Sequence, residues 1–600
     1  MTRSVAINVL AVACAAAGGQ VSLRVVAVSG DRAPGASQGA RFDRFVTPTI
    51  NNAGDVTFFA FLRDTGNDLG LGESVWTEAG GIALTKVAQS GDTPPDIPGD
   101  VQFHGFAVTR APHSNVRGDV ALFADLRGAD APAGTRDAVF FGPAGDQRLL
   151  ARDGQQAPGL AAGITFNVAS GRGPAIAMNS SGTTAMVLGI DNASGPGSFD
   201  SSIWRFVEGA SPELIARTGT VVANVDPGSE FDALSGVRIR ESNGSVLFRG
   251  DLGGPNINPF LDTGLFASRG VGLPENIVPI GGAFSGNMAY DITNGTIFTD
   301  IGFFQGGGFS LSSSIDPLLG GFGFTAELVG PGISLDDERS IGVVGREIAR
   351  SGTQAPGLES GMRFAFFDAP PRIDLEGRAA FSADMQTLSD PDTFIDSVWL
   401  DTHGTLLPIA VGGRPAPGTA DGVTFATGFQ TLSPPAINGT GQLAFRGTVE
   451  GPGVTDANDR GFWATNDNGE LVLALREGDV IDINPQPNIT INRTISSLGG
   501  FAIDDGGRAR SFNDLGQLAL NVSFTDGTEA IIVATIETPC SPVDLSAPFG
   551  VISNADVSAF VNRFFADDPL VAALASPFDV VSNTDVDEFV RLFFEGCPAE

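Results

Sequence analysis

The most regular apolar pattern in the chain follows a turn of the form Asn-x-x-Gly. In "AINGTGQLAFRG" (436–447), Leu443 and Phe445 lie on one face of the predicted strand and Ala444 on the other. Successive side chains of a strand point to opposite faces, so a run that is apolar on both faces predicts an interior strand. The small residue between the two large ones lets a neighbouring sheet approach closely.

This eight-residue pattern, N-x-x-G-x-x-A-F, recurs along most of the chain. Asparagine followed three residues later by glycine favours a type I turn, in which the asparagine side chain caps the turn and glycine leaves it. Glu and Asp replace the asparagine once each. The turns begin at Asn51, Asn115, Asn179, Glu241, Asp374, Asn438 and Asn513, and their glycines are Gly54, Gly118, Gly182, Gly244, Gly377, Gly441 and Gly516.

A second signature, typified by "LARDGQQAPG" (150–159), marks the same period. Its glycines lie 61 to 70 residues apart, at Gly30, Gly91, Gly154, Gly219, Gly282, Gly352, Gly413 and Gly478. Around these marks each unit predicts an aromatic-centred strand such as "DSVW", a strand such as "LPIAVG" and a short strand such as "GVTF". The sequence therefore predicts eight units of about 64 residues, each with four short strands.

Four-stranded units repeated eight times favour an all-β fold, an eight-bladed β-propeller over residues 18–538. The chain starts with a lone strand at 21–30, and the last unit ends at 530–538 without its fourth strand. The first strand can complete the last unit, which would remove exposed sheet edges. An open β-solenoid and a string of small β-sandwiches are the alternatives.

Residues 539–600 predict a separate helical module. "DLSAPFGVISNADVSAFVNRFF" (544–565) is repeated at an offset of 29 residues by "ALASPFDVVSNTDVDEFVRLFF" (573–594). Each copy has a Ser-x-x-Asp capping box followed by an apolar stripe at helical spacing. The capping pairs are Ser553/Asp556 and Ser582/Asp585, and the stripes are Val557, Phe560, Val561 and Phe564, and Val586, Phe589, Val590 and Phe593.

The N-terminus predicts export. Residues 1–17 contain Arg3, an apolar stretch and a small-residue cleavage site, which is typical of a signal peptide. A lipoprotein anchored at Cys14 is the alternative. Without Cys14 two cysteines remain, and we expect Cys540 and Cys597 to form a disulfide rather than two free thiols. No later stretch reaches the roughly 18 apolar residues of a membrane span, so we expect a secreted or cell-surface protein with no transmembrane segment.

The net charge of the chain limits the classes of partner that it can bind. The chain carries 35 basic and 69 acidic residues, a net charge of −34, which repels nucleic acid and anionic lipid. We therefore expect no nucleic acid among its partners.

The C-terminal duplication, with "EGCP" at 595–598, resembles the GC-type of dockerin domain, and the octad resembles the NxxGxxAF tandem repeat of secreted bacterial proteins. These resemblances imply anchoring through a cohesin-like or other cell-surface partner, and calcium as the only cofactor. The implied ligands are Asp544, Asn554, Asp556, Asp579, Asn583 and Asp585. Asp544 and Asp556 are 12 apart rather than 11, and Ala573 replaces the first ligand of the second copy. Helix capping alone is the alternative role for these residues.

No catalytic motif or cofactor-binding motif is present, and His104, His113 and His403 lack metal-ligand spacing. The leading interpretation is a secreted, non-enzymatic propeller that binds an extracellular polysaccharide or protein. The alternative is a polysaccharide-degrading enzyme, which a cluster of three or more carboxylates at one mouth of the propeller channel, breaking the repeat symmetry, would favour. The irregular fifth unit, 283–345, contains the only tyrosine, Tyr290, and is either a functional loop or a drifted repeat.

Overall fold

A computed structural model describes residues 12–13, most of 21–538, and 541, 543–545, 552–565, 574 and 582–597 of the C-terminal region. The gaps between residues 21 and 538 are 38, 64–71, 80–82, 108–111, 169–175, 196–198, 223–227, 241–242, 255–262, 269–277, 285–296, 303–309, 312–321, 330–332, 335, 344–345, 375, 388, 485–488 and 503–509. Tyr290 and most of the predicted signal peptide therefore lie outside the described residues.

The described strands form eight antiparallel sheets, which we number in chain order. The first two strands, β1 (Val12–Ala13) and β2 (Val21–Val28), belong to sheet 8. Sheet 1 contains β3 (Arg41–Phe45), β4 (Thr49–Ile50), β5 (Val56–Arg63), β6 (Gly72–Thr77) and β7 (Thr85–Gln89). Sheet 2 contains β8 (Gln102–Phe106), β9 (His113–Ser114), β10 (Val120–Arg127), β11 (Asp137–Gly142) and β12 (Arg148–Arg152). Sheet 3 contains β13 (Thr165–Asn167), β14 (Ile176–Met178), β15 (Thr184–Asp191), β16 (Phe199–Phe206) and β17 (Glu213–Arg217).

The remaining sheets follow the same plan. Sheet 4 contains β18 (Glu230–Ile239), β19 (Val246–Gly253), β20 (Thr263–Ala267) and β21 (Val278–Phe284). Sheet 5 contains β22 (Ile297–Gly302), β23 (Ser310–Leu311), β24 (Phe322–Val329), β25 (Arg339–Val343) and β26 (Arg346–Arg350). Sheet 6 contains β27 (Met362–Phe367), β28 (Arg372–Ile373), β29 (Ala379–Thr387), β30 (Asp390–Thr402) and β31 (Thr405–Val411). Sheet 7 contains β32 (Thr424–Phe425), β33 (Ala436–Ile437), β34 (Leu443–Glu450), β35 (Arg460–Thr465) and β36 (Leu471–Arg476). Sheet 8 adds β37 (Val480–Asp482), β38 (Asn492–Leu498), β39 (Gln517–Phe524) and β40 (Glu529–Ile536).

The predicted number of units and the predicted pairing of the chain ends are both confirmed. β2 runs antiparallel to β40, with Val21 opposite Ile536 and Val28 opposite Ala530. Four short strands per unit were predicted, but most sheets also have a two- or three-residue strand, such as β4, that pairs with the same neighbour as the strand before it. The octad turn follows this short strand, which is where the chain reverses into the interior strand.

The asparagine of the octad turn has a second role beyond capping. The Oδ1 atom of Asn51 accepts from the backbone N–H groups of Ala53 and Asp55, as turn chemistry predicts. Its Nδ2 atom also donates to the carbonyl of Asn115, 2.9 Å away in the next turn. The same donation links Asn115 to Asn179 O, Asn179 to Arg240 O, and Asn438 to Asn513 O. Asp374 has no amide to donate, and Arg378 Nη2 bonds the Thr440 carbonyl instead.

The aromatic-centred strand carries the core of its sheet. Trp76, Trp204 and Trp399 are fully buried, and the indole N–H of each donates to the hydroxyl of the serine two residues earlier, at 2.8 Å. A buried indole N–H needs such a partner, which explains the Ser-x-Trp spacing. In sheet 7 the residue two before Trp463 is glycine, and the indole donates to the Pro417 carbonyl instead.

Two helices follow the sheets, α1 (Asn554–Phe565) and α2 (Asn583–Glu595). They pack through Phe560 and Phe589, whose rings stack with centroids 4.0 Å apart. The predicted stripes are wrong at Val561 and Val590, which are 43% and 45% exposed. The other stripe residues, Val557, Phe564, Val586 and Phe593, pack against the stacked pair as predicted. Neither helix has the length and apolar character that would let it cross a bilayer.

Cys597 is disulfide-bonded. Cys540, its predicted partner, lies outside the described residues, so the pairing of these two residues stays a prediction.

Candidate functional site

Three aspartates of sheet 6 form a carboxyl cluster: Asp368, Asp384 and Asp396. Asp384 on β29 and Asp396 on β30 are direct cross-strand partners, and Asp368 follows β27, which pairs with the other side of β29. Partners across a strand pair point to the same face, so the side chains of Asp384 and Asp396 lie together. That face is turned toward the unit of sheet 7, because the Asp396 side chain accepts from the backbone N–H of Leu432 there.

The three carboxyls differ in their exposure to solvent and in their hydrogen-bond partners. Asp384 and Asp396 are fully buried, whereas Asp368 is partly exposed. Asp396 is well satisfied, since it accepts from the backbone N–H groups of Leu432 at 2.7 Å and Ser397 at 2.8 Å. Neither oxygen of Asp384 meets an N–H or O–H donor from the described residues. Its polar neighbour is the carboxyl of Asp368, and two carboxyls hydrogen-bond only when a proton lies between them.

The raised pKa values of the three aspartates agree with a proton that is kept within the cluster. Burial, followed by the charge and hydrogen bonding of Asp368, raises the pKa of Asp384 to about 7. Burial raises the pKa of Asp396 to about 8, and the charges of its two cluster neighbours add to the rise. Burial also raises the pKa of Asp368, against the lowering effect of Ser382 and Asp384. Near neutral pH the cluster therefore holds at least one proton, which an acid–base group requires.

The cluster breaks the symmetry of the repeat at Asp384. The same register position holds Phe61, Gly189, Thr448 and Ser523 in sheets 1, 3, 7 and 8. Two other sheets place an aspartate there, each beside a basic side chain: Asp125 lies 2.7 Å from His104 Nδ1, and Asp251 lies 2.8 Å from Arg249. Asp125 also faces an acid, Asp137, and sheet 5 has Glu327 at this position opposite Arg339. What distinguishes Asp384 is that the charges acting on it are acidic, with no basic side chain among them.

Asp396 also has a structural role that the repeat shares. Glu73 accepts from the backbone N–H of Phe106, and Glu529 accepts from that of Phe45, each joining one sheet to the next. Asp396 makes the equivalent bond to Leu432. This inter-sheet bond explains why Asp396 is acidic, and it leaves Asp384 and Asp368 without a structural explanation.

A row of aromatic rings runs beside the cluster. Phe366 is the cross-strand partner of Asp384, and its ring centroid lies 5.4 Å from that of Phe394. Phe394 in turn lies 6.4 Å from Phe429, which is 58% exposed. At the other end the guanidinium of Arg339 from sheet 5 lies over Phe366, 4.5 Å from the ring centroid. We call Phe366, Phe394 and Phe429 the aromatic row.

The six predicted calcium ligands are not brought together as a site by the described residues. Asp556 accepts from the backbone N–H of Leu545 and Ser553, and Asp585 accepts from that of Ser582, so both act as helix caps. Asn554 and Asn583 are exposed at the helix starts, Asp544 is buried, and Asp579 lies outside the described residues. Within the described ranges no three His, Cys, Asp or Glu side chains are placed to hold a metal ion. Calcium binding in this module stays a prediction.

The carboxyl cluster was missed at the sequence level, where acids were assigned to turns. A signal was available: an Asp seven residues after the octad glycine, followed by an Asp three residues before the aromatic residue. It occurs at Asp384/Asp396 and at Asp125/Asp137. The sequence does not distinguish these pairs, because the neighbours of each come from other strands.

Comparison with solved structures finds distant likenesses. A crystal structure of polysaccharide lyase Uly1 has 8% sequence identity, covers 85% of this chain and 91% of that chain, and has a TM-score of 0.31. For an α-L-arabinanase from Penicillium chrysogenum complexed with arabinobiose these values are 9%, 71%, 92% and 0.24. For the Trypanosoma rangeli sialidase they are 9%, 90%, 97% and 0.25. At TM-scores this low, none of these proteins bears on the fold or activity of this chain.

No curated protein sequence matches the chain. A family model matches it over residues 4–341 and again over residues 319–541. The two matches together span all eight sheets and stop before the helices. The chain belongs to the family of unknown function DUF7453.

Proposed function

We propose that the protein cleaves a polysaccharide, with the carboxyl cluster of sheet 6 supplying acid–base chemistry. The observation that carries this proposal is the buried Asp384, whose oxygens meet no N–H or O–H donor among the described residues and whose neighbour is the partly exposed Asp368. A pair of carboxyls that shares one proton can give that proton and take one back.

In the proposed reaction Asp368 is the catalytic residue, because it is the member of the cluster that substrate can reach. The proton shared by Asp368 and Asp384 passes to the glycosidic oxygen as the bond from that oxygen to the anomeric carbon breaks. Water then attacks the anomeric carbon and gives its proton to the carboxylate, which restores the starting pair. Asp384 and Asp396 are positioning residues that keep a proton available near neutral pH.

The aromatic row supports a sugar as the substrate. A sugar ring presents a flat face of C–H groups, and such a face packs on an aromatic side chain whose own face is open. Phe429 is exposed, and its neighbours continue the row toward Asp384. The row would place a sugar chain across the cluster.

The same aromatic row also supports the second candidate, a non-enzymatic polysaccharide-binding protein. In that case the aromatic row binds the glycan and the carboxyl cluster only joins sheets 6 and 7. The two candidates differ in whether bonds are broken, so they are separated by one assay.

The test incubates the full chain with a panel of neutral and acidic polysaccharides and measures new chain ends and binding in parallel. We expect Asp368→Asn to reduce cleavage by roughly 10²- to 10⁴-fold, the usual contribution of one acid–base group, with binding kept. Asp125→Asn, at the matching register position in sheet 2, is the control and should cleave like the unchanged protein. Binding without cleavage by the unchanged protein would overturn the enzymatic proposal in favour of the second candidate.

We also propose that the eight sheets close into a single ring, as in a β-propeller. Two observations support closure: the pairing of β2 with β40, and the asparagine bonds that join successive turns. A closed ring would leave only short, protected sheet edges for pairing with other chains. An experimental structure with the sheets in an open stack would contradict this proposal.

For the C-terminal region we propose a dockerin-like anchoring module on a secreted protein, joined to its partner at the cell surface. Its support is the sequence resemblance together with the paired, capped helices. Truncation after Thr538 should release the protein from the cell surface while its melting temperature stays nearly unchanged. Loss of folding on truncation would show that the helices belong to the core of the protein.

A further inference from the structure

Arg339 stands where other sheets place an acid. It occupies in sheet 5 the register position that Glu73, Asp137, Asp396 and Glu529 occupy in sheets 1, 2, 6 and 8, whereas sheet 7 also has an arginine there, Arg460. The cross-strand partner of Arg339 is Glu327. Glu73, Asp396 and Glu529 join their sheet to the next by accepting a backbone N–H, and a guanidinium has no acceptor for that bond. The charge reversal therefore removes a structural contact from the interface of sheets 5 and 6.

The guanidinium of Arg339 is held in place by an aromatic ring, and not by an ion pair with a described residue. It lies 4.5 Å from the centroid of the Phe366 ring, a cation–π distance, and it is partly buried. Within the described part of the chain it forms no ion pair, although acids outnumber bases 69 to 35. A fixed arginine with free donors is suited to binding a carboxylate or sulfate.

The charge of Arg339 is not among the influences on the pKa values of the carboxyl cluster. The influences on Asp368, Asp384 and Asp396 are burial, hydrogen bonds and one another, and no basic side chain is among them. Yet Phe366 touches both sites, since it carries Arg339 on its ring and is the cross-strand partner of Asp384. The ring of Phe366 therefore lies between the proposed reaction centre and the guanidinium of Arg339, which has no ion pair within the described residues.

We propose that the polysaccharide is anionic, and that Arg339 binds the carboxylate or sulfate of a sugar unit that lies beside Phe366 on the aromatic row. This inference rests on the proposed function, because it names the substrate class of the same site. A chain of net charge −34 repels an anionic polymer in general. A local cation beside the aromatic row would restore attraction at this one place and would set the register of the sugar chain.

The test measures binding by calorimetry with Asp368→Asn protein, so that cleavage does not interfere. The probes are two anionic oligosaccharides, one carboxylated and one sulfated, and a neutral oligosaccharide of equal length. Adding Arg339→Gln should weaken anionic binding by roughly 10-fold or more, the usual loss for a hydrogen-bonded charge, and leave neutral binding unchanged. Arg339→Lys should keep part of the affinity. The loss of affinity for the carboxylated probe and for the sulfated probe shows whether Arg339 binds a carboxylate or a sulfate.

Arg44→Gln is the matched control, because Arg44 lies over Phe61 in sheet 1 at 4.2 Å and far along the chain from the cluster. It should leave all three affinities unchanged, and melting temperatures check that every variant is folded. If Arg339→Gln binds anionic and neutral probes as before, the proposal is wrong. Cleavage of neutral polysaccharides alone would overturn the anionic substrate and keep the proposed enzyme. Arg339-dependent binding without any cleavage would keep the anionic ligand and overturn the enzyme.

Discussion

The Nδ2 atom of Asn513 donates a hydrogen bond to the backbone carbonyl of Asn51, 2.8 Å away and 462 residues earlier in the chain. The two residues begin the octad turns of sheets 8 and 1, so the bond joins the last unit to the first. Together with the pairing of β2 and β40, it ties both ends of the repeat array with the same contact that joins neighbouring units.

Asn513→Asp should destabilise the protein by about 1–3 kcal/mol, because the aspartate keeps the capping oxygen but loses the donor and leaves the Asn51 carbonyl without it. The free energy of unfolding in urea measures the loss. Asn243→Asp is the control, since Asn243 accepts from Ser245 N in its turn through Oδ1, an atom that aspartate retains. Equal effects of the two substitutions would show that the inter-unit bond is not responsible.

Stability should depend on pH through Asp384. Burial raises the pKa of Asp384 from its usual 3.8 to about 7 in the folded protein, so between these pH values the folded state keeps a proton that the unfolded state releases. The stability that the protonated Asp384 carboxyl gives the folded state is fully present below pH 4 and is lost as the pH rises through about 7. Asparagine does not titrate, so the Asp384→Asn variant should not lose this stability as the pH rises. Its free energy of unfolding should therefore increase relative to that of the unchanged protein between pH 5 and pH 8.

Urea unfolding at both pH values measures that difference. Asp421→Asn makes the same chemical change at an exposed position and should not reproduce it. A constant difference between Asp384→Asn and the unchanged protein across this pH range would contradict a proton held on Asp384.

Ser397→Ala should destabilise the protein by about 1–3 kcal/mol, because it leaves the buried indole N–H of Trp399 without its hydroxyl partner. A double-mutant cycle with Trp399→Phe isolates this bond. In the Trp399→Phe background the serine substitution should cost less. An unchanged cost would mean that the hydroxyl matters only through its own bond to the Ala383 carbonyl.

Phe589→Ala should open the contact between the two helices, with a loss of about 3–5 kcal/mol for a buried phenylalanine. Hydrogen exchange of residues 552–565 and 582–597 should rise, while exchange in the sheets stays the same. Phe594→Ala removes the same side chain from a position that is 82% exposed and should have little effect. Comparable increases for both variants would show that the stacked pair does not hold the helices.

The sequence by itself determined the repeat, because each unit must satisfy the same local rules. Turn chemistry requires asparagine and glycine three residues apart, a buried indole requires a nearby acceptor, and alternating apolar positions require a sheet interior. These rules act within a few residues, so the number of units, the interior strands and the helix caps at Ser553 and Ser582 could all be predicted.

Tertiary structure decided which acids share a site. Asp384 and Asp396 lie on neighbouring strands and Asp368 follows a third, and the pKa of each depends on burial and on its neighbours in space, which no local spacing shows. Asp125 and Asp137 have the same spacing as Asp384 and Asp396, yet Asp125 is paired with His104. Asparagine was likewise predicted as a cap, while its bond to the next unit needed two turns brought together by the fold.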